Sequence, residues 1–307
     1  MSLNQPYATR ALAETLQFEL ELQGIPSSLH FGEFPDDRPA PVFVLLDPFD
    51  YVRLEGEQAI PADAVLRRTV MVFAGRPPAT SNGGHDALLD EAGAIFAIDQ
   101  RSVVDIQRRG LHARLLRPGY SKSLDHFDPA SHRPIDVLFL GTQSERRSTI
   151  LSQAADVLAD RNCRFEVAAN SPTAGETESP LAHDRWSLLT QSKILITVHS
   201  GDEDRLEWQG VLEAIHAGAV VVTEHSSGIV PLVPGEHLFV ASADSLPYVV
   251  HALLADEQRL ARVRAQAYER LHDWIPYALW VSVLRAAVVE LVGEPLPSEI
   301  ASGATAA

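Results

Sequence analysis

A chain of 307 residues, 46% hydrophobic and 21% charged, has the composition of a globular protein with an ample core and room for about two domains. A formal charge of −16 argues against a nonspecific binder of nucleic acid or anionic lipid, leaving only a local basic pocket open. Cys163 is the only cysteine, so no internal disulfide can form, and beside Phe165 and Val167 it reads as strand filler.

In chain order, the start MSLNQPYATRALAETLQ lacks a basic segment followed by an apolar one, so no secretory signal is expected. Ala8 to Leu22 predicts a helix with apolar Leu12, Leu16, Phe18 and Leu22. Ser27 to Phe31, Val42 to Leu46, Thr69 to Phe73 and Ala94 to Ile98 read as strands. Ser102 to Arg109 reads as a helix ended by Gly110, and Ala113 to Leu116 as a further strand. Residues 118–134 have the proline, serine and charge content of an inter-domain linker, and Asp125-His126-Phe127-Asp128 within it reads as polar.

Asp136 to Leu140 opens a second array, followed by a helix, the strand Phe165 to Ala168, and a helix near Trp186. Ile194 to Val198 and Val220 to Thr223 are β-branched runs of the kind buried parallel strands use. Between them Trp208, Val211, Leu212 and Ile215 recur at helical spacing, with Gly218 placed as a C-cap. Helices from Ser245, Glu257 and Trp274 close the chain before a small, polar, disordered tail at 293–307. The last helix is apolar, but Pro276, Arg285 and Glu290 interrupt it, which argues against a transmembrane span. A cytoplasmic setting fits.

Alternating strands and helices in both halves imply an α/β protein with two doubly wound parallel sheets. The expected division is 1–117, the linker 118–134, 135–273, a final helix at about 274–292 and the tail 293–307.

Open α/β sheets bind ligands at the carboxyl ends of their strands, so the chemistry is sought there. Gly141 follows a strand and precedes a helix, a shape that brings backbone N–H groups toward an anion. Thr142 and Glu145 have capping-box spacing. Arg146 and Arg147 stand in the first helical turn, where the dipole disfavours cations; a diphosphate would offset them, and two solvated arginines are the plainer alternative. Asp202, Glu203 and Asp204 are explained by a dipole-favourable helix start, whereas Glu213 lies too far along the helix for that. Glu207 and Glu213 could each accept the paired hydroxyls of a ribose or hexose. Ser226-Ser227-Gly228, after a strand, permits close approach of a phosphate or sugar, or is an ordinary turn. His199 directly follows a strand and could contact a donor or the transferred group. His85, in SNGGHD, could act as a general base or simply be a surface histidine. None of the twelve histidines has zinc-ligand spacing, so no metal site is expected.

The stretch EWQGVLEAIHAGAVVVTEHSSGIVPLVPGEHLFV, continued by DSLPYVVHALLADEQRLARVRAQA, resembles the donor-binding domain of GT-B glycosyltransferases, in the bacterial family 1 or family 4-like group. The resemblance covers about residues 136–272 and before residue 118 is only architectural. It implies two facing Rossmann-like domains, with the C-terminal helix crossing back onto the first. It also implies a nucleotide-diphosphate sugar, UDP-linked for example, as co-substrate, an unspecified acceptor, and no obligatory metal or other cofactor.

By the same resemblance Glu213 binds the ribose, while Gly141, Arg146 or Arg147 and the Ser226 to Gly228 loop meet the diphosphate. The family's paired glutamates are usually separated by seven residues. Here that slot holds Arg205, and Glu207 stands in for the missing glutamate. Glycosyl transfer is the leading expectation; a non-catalytic GT-B-like binding protein and a nucleotide-sugar epimerase are its rivals.

Overall fold

The computed structural model describes residues 7–32, 34, 42–75, 77, 88–168, 180–201 and 204–293. These fall into two compact units: 16–117 with 279–293, and 7–15 with 118–278.

The first unit holds the C-terminal part of α1 (Tyr7–Leu22), from Leu16 on, then β1 (Phe43–Leu46), α2 (Pro48–Glu55), α3 (Asp63–Leu66), β2 (Thr69–Phe73), β3 (Ala94–Ala97), α4 (Gln100–Gln107) and β4 (Ala113–Leu115). Its strands form one parallel sheet in the order β1-β2-β3-β4. Met71, Phe73, Ile95 and Ala97 pack against Val52, Leu66, Val103 and Ile106 to form one core face. Ser27 to Phe31, expected as a strand, is not one. Ser-Ser-Leu-His-Phe contains no β-branched residue, so little favours an extended run there.

The second unit contains β5 (Ile135–Thr142), α5 (Glu145–Val157), β6 (Cys163–Ala168), α6 (Pro180–Thr190), β7 (Ser192–Thr197), α7 (Trp208–Ala217), β8 (Val220–Glu224), β9 (Phe239–Ala241), α8 (Leu246–Leu254) and α9 (Glu257–Trp274). All five strands are parallel, ordered β6-β5-β7-β8-β9. Alternate residues serve opposite faces, as the two-residue period of a strand requires. Leu138, Leu195 and Val221 pack with Leu189 of α6 and Val211, Leu212 and Ile215 of α7. Val137, Phe139, Ile194, Ile196, Val220 and Val222 pack with helices α5 and α8 on the other face. Gly218 caps α7 with φ 75°, a left-handed conformation suited to glycine.

Two expectations change at the ends of this unit. Residues 118–134 are no loose linker but part of the packed second unit. Tyr120 hydrogen-bonds Ile275 O (2.7 Å) and receives Tyr277 N (2.9 Å), threading the break between α9 and α10 (Tyr277–Val292). Arg133 is buried and donates to Ser192 O (3.0 Å) and Ala217 O (2.8 Å). Asp125, read as simply polar linker, accepts from the hydroxyls of Tyr120 (2.8 Å) and Tyr268 (2.9 Å). The final helix starts at Tyr277 rather than Trp274, because Pro276 separates it from α9. From Leu279 onward it belongs to the first unit, where Glu290 lies 3.9 Å from Arg114. Among the described residues no helix is long and apolar enough to cross a membrane. The tail from residue 294 lies outside the described residues.

His216 fastens residues 118–134 to α7. It is fully buried, its Nδ1 donates to Leu212 O (2.8 Å), and its Nε2 accepts from Ser121 N (3.2 Å). Tyr120 stacks on the ring at 5.4 Å. Burial pushes its pKa down to about 4; the backbone contact to Leu212 and the Asp125 charge pull upward, and His126 pulls downward. The unfolded chain therefore takes up a proton that the folded chain refuses. Stability is expected to be intact above pH 6.5 and to decline as the pH falls toward 4, by up to about 3 kcal/mol. His216→Gln should flatten that decline in urea unfolding measured across the same pH range.

Candidate functional site at a switch point of the second sheet

β5 is flanked by β6 on one side and β7 on the other, so the chain reverses its direction of travel between β5 and β7. The crevice outside the carboxyl ends of such a strand pair is where open α/β sheets take ligands. The helices that follow β5 and β7 start at this end, so α5 and α7 direct their N-termini to it.

Arg147, in the first turn of α5, occupies the switch point and is 4% exposed. Its Nε donates to Val198 O (2.8 Å), and its Nη1 donates to Thr142 O (3.1 Å) and Oγ1 (2.9 Å). Its Nη2 pairs with the carboxylate of Glu207, and the guanidinium lies 5.7 Å from the Phe139 ring centroid. Gly141 makes room for this. A β-carbon there would sit 2.7 Å from Phe139 Cζ and 3.3 Å from Arg147 Nη1. Ser144, not Thr142, caps α5, accepting from Arg147 N (3.1 Å), because Thr142 still belongs to β5.

Arg146 reaches across to the end of β8. Its two terminal nitrogens grip Glu224 as a fork, Nη1 to Oε2 at 2.7 Å, and Nη1 also donates to His199 O (3.1 Å). Glu224 is buried and accepts from His199 N (2.8 Å) as well. Burial alone would raise its pKa, but the Arg146 and His199 hydrogen bonds and charges outweigh that and hold it below the usual carboxylate range.

Buried His199 places Nε2 3.1 Å from Ser226 Oγ and 3.3 Å from His225 O. Ser226 Oγ donates to Glu224 O (2.8 Å), so its lone pairs face the imidazole and His199 Nε2 carries the hydrogen. In this arrangement His199 is a donor rather than a proton acceptor.

Glu213 has no solvent exposure. One oxygen pairs with Arg185 Nε and the other accepts from Gln209 Nε2 (2.7 Å). Glu207 is the opposite case, with its side chain 46% exposed at the N-terminus of α7. Two arginine–glutamate pairs, 146–224 and 147–207, thus stand at the crevice, and a third, 185–213, ties α7 to α6. The first-turn arginines expected to need an anion find one in Glu224 and Glu207, and neither is merely solvated.

Ser227 stitches its loop to residues 204–206: its N and Oγ both donate to Asp204 O, and Leu206 N donates to Ser227 O (3.2 Å). Gly228 has φ 79° with open space around its α-carbon, so its backbone conformation, not crowding, calls for glycine. His85, Asp202 and Glu203 lie outside the described residues. Among the described residues no group of three or more histidine, cysteine, aspartate or glutamate side chains could hold a metal.

The structure therefore gathers Arg146, Arg147, His199, Glu207 and Ser226 at one crevice, with Gly141 beneath Arg147 and Glu213 buried on α7. Sequence reading missed Glu224, Arg185 and Gln209. A carboxylate closing the otherwise apolar strand Val220–Glu224 was a readable signal; nothing along α6 marked Arg185.

No protein-family model matches the chain, and no curated protein matches it significantly. Solved structures do resemble it. The similarity to TarM has a TM-score of 0.52 at 8% identity over 74% of this chain, and the chain spans 55% of TarM's length. Anabaena HepE in complex with UDP-glucose gives 0.55 at 12% identity, covering 89% of this chain and 88% of HepE. Sucrose-phosphate synthase from Thermosynechococcus elongatus gives 0.57 at 11% identity, over 93% and 78% of the two chains. At such identities the likeness concerns architecture, and the architecture is that of GT-B glycosyltransferases.

Removing one member of a buried ion pair strands the other. Glu213→Ala is expected to cost about 3–5 kcal/mol in denaturant unfolding, because Arg185 keeps its charge without its carboxylate. The double substitution Arg185→Met with Glu213→Leu should recover most of that loss.

Proposed function

We infer that this protein is a glycosyltransferase that moves a sugar from a nucleotide-diphosphate sugar to an acceptor hydroxyl. The observation carrying this reading is the switch-point crevice, where two helix N-termini, one part-exposed arginine and one half-exposed glutamate converge. The likeness to a structure holding UDP-glucose supports UDP as the nucleotide. In this reading residues 135–273 hold the donor, while residues 1–117 and the last helix supply acceptor contacts.

The first-turn N–H groups of α5 and the Arg146 guanidinium suit a diphosphate, whose charge grows as the bond to the sugar breaks. Arg146 keeps its orientation through the fork with Glu224. Arg147, saturated by Val198, Thr142 and Glu207, serves as an anchor that aims Glu207 outward. Glu207 is then the carboxylate available to accept sugar hydroxyls or the acceptor's proton. His199 Nε2–H fixes Ser226 Oγ, whose own hydrogen goes to Glu224 O, so the pair positions the loop that follows β8. Glu213 reaches a ribose only if Arg185 and Gln209 release it, so its part is to hold α7 against α6. No metal is required for these roles.

A second reading, a non-catalytic binding protein of the same fold, is favoured by the pairing of all three arginines with glutamates. Calorimetry against UDP-, GDP- and dTDP-sugars separates the two when combined with measured release of nucleotide. Transfer predicts a dissociation constant of about 1 μM–1 mM for one donor. It also predicts slow donor hydrolysis that falls about 100-fold or more in Glu207→Gln with binding largely kept. Binding without sugar release across the panel selects the second reading. Absence of binding to every nucleotide sugar, with Arg146→Ala and Glu207→Gln behaving as the parent, defeats both.

A further inference from the structure

β6 is an outer strand of the second sheet and, at six residues, the longest of the four edge strands described; β1 has four residues, β4 and β9 three each. Its bonds to β5 fix which groups it turns outward. Asn162 O accepts from Val137 N (3.3 Å) and Ala168 O accepts from Gln143 N (2.8 Å), so the even-numbered residues face β5. Successive peptide groups of a strand point to opposite sides, so Cys163, Phe165 and Val167 turn theirs away from the sheet. Cys163 N turns back to Arg161 O (3.0 Å), and among the described residues nothing bonds the main chain of Phe165 or Val167.

The side chains alternate as well. Cys163 and Phe165 pack on the core face shared with α5 and α8, and Val167 beyond them is exposed. Arg164 and Glu166 stand on the opposite face as a partly exposed ion pair of 2.6 Å. An unpaired edge is a template for another strand, and charged side chains on it commonly keep copies apart. One charge of each sign, two residues apart, acts differently. For the outward groups to bond, an antiparallel copy must set odd-numbered residues opposite odd-numbered ones. Centring the pair on Phe165 then sets Arg164 of each copy opposite Glu166 of the other, twice. Moving the centre by one residue sets Arg164 against itself or Glu166 against itself, and either arrangement repels.

We propose that β6 is a self-association surface: two copies of this chain pair β6 with β6, antiparallel, about a two-fold axis at Phe165, joining their five-stranded sheets into one. Phe165 N–H of each copy donates to Phe165 O of the other, and Val167 of each lies opposite Cys163 of the other. The Arg164–Glu166 pairs fall at positions without mutual main-chain bonds, where facing side chains are closest. The contact is isologous, so association stops at two copies. Because the axis reverses strand direction, the two β5 ends, each with its arginine seat, open at opposite edges of the joined sheet. The proposal is independent of the glycosyl-transfer reading. One strand pair buries less than the roughly 1,200 Å² of stable specific interfaces, so the dimer is reversible, with a dissociation constant of about 10–100 μM.

Sedimentation velocity on the full chain, from about 1 μM to about 500 μM, brackets that constant. The expected result is a reversible monomer–dimer equilibrium. Val167→Pro removes an outward N–H and no bond to β5, so it should keep the native circular dichroism and abolish the dimer. Arg164→Glu and Glu166→Arg, each alone, set like charges opposite one another and should weaken self-association about tenfold or more. Mixed in equal amounts, those two variants should pair with each other about as tightly as the parent pairs with itself, because an acidic strand then faces a basic one. Misfolding of either variant could not produce that recovery. The proposal is overturned if the chain stays monomeric across the range, or if a dimer forms that the proline and charge variants leave unchanged. It is equally overturned if the two charge variants, each folded and monomeric, fail to associate when mixed.

Discussion

The guanidinium of Arg147 fills the point where the second sheet changes direction, and most of the crevice is organised around it. Two strand ends that are neighbours only at their hydrogen-bonded edges, Thr142 of β5 and Val198 after β7, are tied together by its donors. A cation in the first turn of a helix opposes the helix dipole, so the position is tenable only with a carboxylate alongside, and Glu207 provides it. Gly141 and Phe139 complete the seat, one by the side chain it lacks and the other by the face of its ring. What reads along the chain as a glycine near an anion is, in three dimensions, a glycine near an arginine.

The remaining charges follow the same logic of pairing before burial. Glu224 closes β8 in a buried position because Arg146 and the His199 N–H satisfy it. Glu213 is buried on α7 because Arg185 and Gln209 take both its oxygens. An unpaired charge at either place would be far more costly than the pair. The consequence for chemistry is selective: Glu207 and, in part, Arg146 keep solvent access, while Arg147, Glu213 and Glu224 act through the groups they hold. A preformed polar environment of this kind needs little reorganisation when charge develops on a bound ligand.

The segment before β5 contributes to the same rigidity from the other end of α7. Tyr120, Asp125 and Tyr268 share one carboxylate, and His216 joins Ser121 to Leu212 within a turn of Glu213. Proline, serine and aspartate in that stretch resemble a linker because short polar residues favour turns. Here their turns are stapled by aromatic rings, Phe127 on Tyr268 at 4.0 Å and Tyr120 on His216, which composition does not reveal.

Sequence by itself determined the layering of this protein: β-branched runs such as Ile194 to Thr197 and Val220 to Thr223, the helical spacing of Trp208 to Ile215, and the C-cap at Gly218 are local patterns with local causes. It also located the crevice, because the strand ends carrying Gly141, His199 and Ser226 are fixed once the strands are. Strand order was not legible, since β5 lies between β6 and β7 through contacts made across dozens of residues. The partners of the charges were equally hidden: Arg185 is 28 residues from Glu213, and Arg146 is 78 from Glu224. Only the tertiary structure could decide which carboxylates are buried anchors and which face solvent, because desolvation and pairing depend on what the fold brings alongside.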